Sequence, residues 1–185
     1  MRSGPRFGTL GRVTRRFEDI LGAARANAEW AWVALYDEHA PMALQFLRSR
    51  HLEDPEAALG EAFVRVVRGI HGFEGDEDDF RGWLFRIVQR CAIDAARTRS
   101  THATDRGAPE RTSPDTADVA HRALEEARIY EVLDVLSPDQ RAVVFLRVIA
   151  DLSIAEVATI LQRRPAAIKM LQQRGLQALR KRGLP

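Results

Sequence analysis

Residues 163–183 read RRPAAIKMLQQRGLQALRKRG: seven basic side chains, no acidic one, and the apolar residues Ile168, Leu171 and Leu179 at helical spacing. Pro165 suits the first turn of a helix, where a missing N–H costs nothing. The stretch therefore predicts a terminal helix with an apolar face to bury and a cationic face to present. Just before it, Ser153 and Glu156 stand at capping-box spacing and open a short apolar helix over Ile154, Val157, Ala158 and Leu161. Two helices joined by a brief turn, the second cationic, have the form of a helix-turn-helix, whose second helix enters the major groove of DNA. Arg164, Lys169, Gln172, Gln173 and Arg174 are placed to reach base edges, since Arg and Lys suit guanine and Gln suits adenine. Arg180, with Lys181 and Arg182, lies further along and is expected on phosphates, adding affinity without sequence preference.

Upstream, Ser137-Pro138-Asp139 reads as a helix start, and Leu124, Ile129, Val132, Leu133 and Leu136 form one amphipathic helix before it. The stretch from 100 to 118, STHATDRGAPERTSPDTAD, nearly lacks hydrophobes and cannot bury enough surface to offset its ordering entropy, so it reads as a linker. In the first half, Phe17, Ile20, Leu21 and Ala24 suggest a packing helix. Trp32, Leu35, Tyr36, Ala43, Phe46 and Leu47 mark a helical region over 29–50, in which Pro41 is either a kink or a new start. Asp54-Pro55 opens the next helix, with Leu59, Phe63, Val66 and Val67 as its apolar stripe. HGFEGDEDD, 71–79, reads as a loop, and Phe80 to Ala96 as a helix burying Phe80, Trp83, Leu84, Ile87, Val88 and Cys91. No stretch alternates apolar and polar residues, so the expectation is all-α: an N-terminal extension over 1–28, one small helical domain over 29–99, a flexible linker over 100–121 and a second domain over 122–185.

The net charge is only +2, yet charge is segregated. Acids dominate from Glu53 to Asp79, arginines from Arg81 to Arg99, and bases again at the C-terminal end, which points to one acidic-flanked and two cationic surfaces. A single cysteine, Cys91, excludes an internal disulfide and fits the reducing cytoplasm. No apolar run approaches the roughly 18 residues of a membrane span, and the basic N-terminus is not followed by the apolar core of a secretory signal. Five scattered histidines lack metal-ligand spacing, no glycine-rich phosphate loop occurs, and no nucleophile–base pair is visible, so neither an enzyme nor a cofactor is expected.

The blocks LYDEHAPMALQFLRSR, DPEAALGEAFVRVVR, FRGWLFRIVQRCAIDAAR and LSPDQRAVVFLRVIADLSIAEVATIL resemble, in order, those of extracytoplasmic-function sigma factors of the sigma-70 family. The resemblance covers about 30–99 and 124–182. It implies that the first, sigma-2-like domain binds the clamp helices of core RNA polymerase and opens the −10 element. The second, sigma-4-like domain would read the −35 element at the polymerase flap, so that the beta and beta-prime subunits are both partners. An anti-sigma factor is a further partner that the family leads one to expect. The implied polymerase-binding residues are Asp54, Glu56, Glu61 and Phe63, with Arg65 beside them; Ala57 and Gly60 replace the family's usual Asp and Gln. Those implied at the −10 element are Phe73, Arg86, Gln89, Arg90 and Arg97. In the terminal helix Lys169 and Arg174 match the family pattern, whereas Ala167, Met170, Leu171 and Gln172 depart from it.

Two other readings are open on these residues. A stand-alone helix-turn-helix regulator would need only the second domain. A protein-interaction module would use the same amphipathic faces without DNA. The sigma-factor reading has a physical signature of its own: two helical units that grip separate promoter sites only when polymerase holds them apart.

Overall fold

The computed structural model describes residues 16–102 and 132–182, the side chains of 99–102 excepted. Residues 1–15, most of the expected linker and the helix expected through Leu124 and Ile129 lie outside the described residues. The elements in order are α1 (Phe17–Arg25), α2 (Glu29–Ser49), α3 (Pro55–Gly69), a 3-10 turn (Ile70–Gly72), α4 (Glu77–His102), α5 (Pro138–Val144) running into a π-helical turn (Phe145–Ile149), α6 (Ile154–Ile160) and α7 (Pro165–Lys181). Among the described residues there is no strand.

The helix starts follow from local chemistry. Asp54 accepts from Ala57 N at 2.7 Å, with Pro55 behind it. Ser137 and Gln140 close a reciprocal capping box, and so do Ser153 and Glu156, whose Oε2 accepts from Ser153 N at 2.6 Å. The acids of 76–79 have the same origin: Asp76 Oδ1 accepts from Asp79 N at 2.9 Å and Asp79 Oδ2 from Asp76 N at 3.2 Å. Gly75, at φ +142°, lets the chain turn into this box, where a Cβ would strike Asp79. Carboxylates here also complement the positive end of the α4 dipole.

Pro41 does not divide α2, which runs unbroken through it. Proline removes a single backbone bond, and the buried Ala40, Ala43 and Phe46 around it hold the helix against the core. α1 is no mere extension: Leu21 and Ala24 are buried, Phe17 meets Phe80 at 5.4 Å between ring centres, and Arg25 donates to the carbonyls of Ile70 and Phe73.

The two halves pack on each other. Phe46 of α2 lies edge-on to both Phe85 of α4 (5.7 Å) and Phe145 of the π-turn (5.4 Å), and none of the three is more than 1% exposed. Each fully buried ring contributes on the order of 1.5–3 kcal/mol. α6 lies along α4 close enough that a Cβ on Gly82 would come within 2.9 Å of Glu156 Oε1. Polar contacts close the seam: Arg141 donates to Ser49 O (3.1 Å) and Arg50 to Pro138 O (2.9 Å).

Candidate nucleic-acid interface

α6 and α7 form the expected helix-turn-helix. Ile168 and Leu179 anchor α7 to the domain, and Gly175 lets it approach α5 so closely that a Cβ would meet Val144 Cγ2 at 2.8 Å. Arg163 pairs with Asp139 at 2.6 Å and ties the turn to α5. Gln162, in the turn, takes φ +52°, a left-handed position unusual for a side chain of its size. Arg164, Lys169, Gln173, Arg174 and Arg180 are all exposed. Gln172 is not among them. It is half-buried on the inner side, its Oε1 accepting from Arg147 Nε at 3.5 Å, and Arg147 also donates to the carbonyl of Leu152. Gln177, which no sequence signal singled out, is exposed, as is Met170 at 46%.

On α4, Arg86, Arg90 and Arg97 are exposed. Arg90 is 3.4 Å from Asp94, which also takes Arg65 at 3.2 Å. Phe73 and Gln89 are buried, 5% and 6% exposed, and so do not face solvent where a displaced strand would pass. Phe73 packs against Phe80 and Trp83. Gln89 falls seven residues, about two turns, after Gly82, on the face of α4 whose Gly82 α6 approaches. Its Oε1 has no hydrogen-bond partner. The second domain thus covers part of the helix expected to meet the −10 element.

α2 and α3 carry a third surface. Trp30, Val33 and Tyr36 on α2 and Val64 and Val67 on α3 are each 41–52% exposed, and Tyr36 meets the half-buried Phe63 at 4.8 Å. Tyr36 and Val67, which fit the apolar periodicity of their helices, are therefore the rim of that periodicity and widen an exposed apolar strip. Of the expected polymerase contacts, Asp54 is occupied as an N-cap, Glu56 pairs with Arg48 at 2.8 Å and Glu61 with Arg65 at 3.1 Å. All three are exposed on α3 or at its start.

Two family models match this chain: sigma-70 region 2 over residues 35–101 and sigma-70 region 4 over residues 126–179. The extracytoplasmic-function RNA polymerase sigma factor SigX of Bacillus subtilis is 34% identical over 80% of this chain and 80% of its own length. The chain belongs to the extracytoplasmic-function sigma factors of the sigma-70 family. BldN of Streptomyces coelicolor, another such factor, is 28% identical over 89% of this chain and 64% of its own length. The fold is shared with the solved structure of CnrH in complex with the cytosolic domain of CnrY, at a TM-score of 0.62 and 24% identity over 89% of this chain and 95% of that one.

In this sigma factor two buried groups titrate abnormally. His39 of α2, ring to ring with Phe80 at 5.0 Å, is pushed down to about 4 by burial; Glu38 opposes the shift and Arg81 adds to it. Burial also pushes the Cys91 thiol up, which leaves it a protonated core side chain rather than a reactive thiolate. Both lie in the first-domain core, away from the exposed surfaces of α7 and of α2 and α3.

Proposed function

We propose that this sigma factor engages core RNA polymerase through the apolar strip of α2 and α3 and the acids around it, and reads the −35 element with α7. Arg86, Arg90 and Arg97 of α4 serve the −10 element. The observation that carries this reading is the pairing, on one chain, of a cationic exposed helix sized for a groove with an uncovered aromatic and aliphatic strip. The sigma factor supplies no catalytic group; the polymerase does the chemistry, in the cytoplasm. Among the described residues no helix is long and apolar enough to cross a membrane.

Because α6 packs along α4 and Gln89 is buried there, the two domains separate when polymerase binds, and only then do Gln89 and its neighbours reach the displaced strand. An anti-sigma factor is proposed as the third partner, one that would keep the domains from the polymerase. Support for it comes from the family and from the shared fold of CnrH, which was solved in complex with the cytosolic domain of CnrY.

Transcription from a promoter library by sigma-free core polymerase tests the reading. Addition of this chain should create new start sites. If none appears while the chain alone selects a duplex tightly, it is a stand-alone regulator instead.

A further inference from the structure

At 3.6 residues per turn, α7 sets Ala166, Met170, Gln173 and Gln177 along the line opposite Ile168, Gly175 and Leu179, the three residues it buries. All four are exposed, and none is charged. The cations flank this line. Lys169 and Arg180 stand on one side of it, Arg174 and Lys181 on the other. A helix that docks with its buried face on its own domain sends the opposite line deepest into the groove. Its flanks then run beside the groove walls, where phosphates lie.

A lone exposed methionine needs no explanation. Here it sits one turn from Ala166, at the N-terminal half that enters first, between two rails of positive charge. An apolar side chain in the major groove has one natural partner, the 5-methyl group of thymine, and a glutamine pairs best with the N6 and N7 of adenine.

We propose that α7 selects A·T base pairs, with Ala166 and Met170 against thymine methyl groups and Gln173 and Gln177 on adenine edges. Lys169, Arg174, Arg180 and Lys181 hold phosphates and specify nothing. This assigns Lys169 and Arg174 differently from the guanine contacts that residue type alone suggests. It rests on the reading of α7 as the −35 reader.

The test uses holoenzyme assembled from core polymerase and the full chain. Duplexes randomised across the −35 region are selected, and each thymine of the winners is then replaced singly by uracil, which lacks the methyl group. The expected winners carry A·T pairs, and at least one uracil replacement weakens binding about three- to fivefold, the worth of one buried methyl. Met170→Ala should weaken the thymine duplex by a similar factor and abolish the response to uracil. Its side chain is exposed, so the variant folds. Lys169→Ala should lower affinity for all duplexes alike and reduce the salt dependence.

Selection of G·C pairs at these positions overturns the proposal. So does uracil tolerated everywhere by the unaltered chain, or a Met170→Ala variant that still responds to it. In each case transcription from the selected promoters persists, and the −35 reading stands. If no sequence is selected and no start site gains transcription, both fall together.

Discussion

The guanidinium of Arg141, in the second domain, donates at 3.1 Å to the carbonyl of Ser49, the last residue of α2 in the first. The final carbonyls of a helix have no partner within it, so a cation there satisfies an orphan group and the negative end of the dipole together. Arg141 is 6% exposed and also donates to Leu133 O (3.0 Å) and Leu136 O (3.2 Å) of its own domain. His51 and Asp134 complete the cluster, 3.0 Å apart. Beside it Arg50 reaches Pro138 O, with burial lowering its pKa and nearby Asp139 opposing that.

These contacts define which variants report on the seam between the domains. Arg141→Ala would also strip two carbonyls within the second domain and so damage that domain itself. Arg50→Ala with His51→Ala removes the side chains that reach Pro138 O and Asp134 across the seam and leaves those two carbonyls their partner. Losing hydrogen bonds of this kind costs roughly 1–2 kcal/mol, a five- to thirtyfold shift toward separated domains. Small-angle scattering of the free protein should show a larger radius of gyration, with helix content unchanged. An unaltered radius would mean that the contact of Phe46 with Phe145 and the bond from Arg141 to Ser49 O hold the seam without these two side chains.

His39 makes stability depend on acid. Its folded-state pKa of about 4 lies below the ordinary 6.5, so between those values the unfolded chain binds a proton that the folded chain does not. The stability it contributes is therefore complete above pH 6.5 and is lost as pH falls toward 4. The loss approaches about 3 kcal/mol at the bottom of the window, since a tenfold difference in proton affinity between folded and unfolded chain is worth ~1.4 kcal/mol. Urea titrations at pH 7 and pH 4.5 should show this slope, and His39→Phe should flatten it. A variant that loses as much stability as the parent between the two pH values would refute the assignment.

Gly175 lets α7 lie against α5. Alanine there would put its Cβ at 2.8 Å from Val144 Cγ2, and Val144 is buried and stiff at χ1. Overpacking of this kind costs about 1–3 kcal/mol, against ~1 kcal/mol gained in helix propensity. The clash wins: Gly175→Ala should lower the melting temperature and weaken promoter binding, and Val144→Ala added to it should restore both. Failure of the second change to rescue would mean that the two helices do not press on each other here.

Local chemistry made the helix starts readable. Asp54, Ser137 and Ser153 each act on atoms three residues away, and the structure bears out all three. What lay across the chain was not readable. Gln172 and Gln177 differ only in which side of α7 they take, and Arg147, twenty-five residues from Gln172, holds it inward. Gln89 looks like an exposed polar residue on a cationic helix, yet it is buried on a helix against which α6, from the other domain, packs. Tyr36 and Val67 fit an apolar stripe, but a stripe wide enough to bury one face also left a rim for a partner.

Gly60 stands where the family usually has Gln. It lies in the interior of α3, exposed, and a Cβ there meets nothing within 4 Å. Glycine in such a place costs about 0.5–1 kcal/mol relative to a good helix former, so Gly60→Ala and Gly60→Gln should both raise stability by that amount. Only glutamine restores the hydrogen-bonding side chain beside the strip of Phe63, Val64 and Val67. The difference between the two variants therefore isolates the contact from the helix effect. Gly60→Gln should bind core polymerase several-fold more tightly than Gly60→Ala in a competition assay at equal thermal stability. Equal binding by the two would show that this turn of α3 stays clear of the polymerase, and that the exposed valines and Tyr36 carry the contact without it.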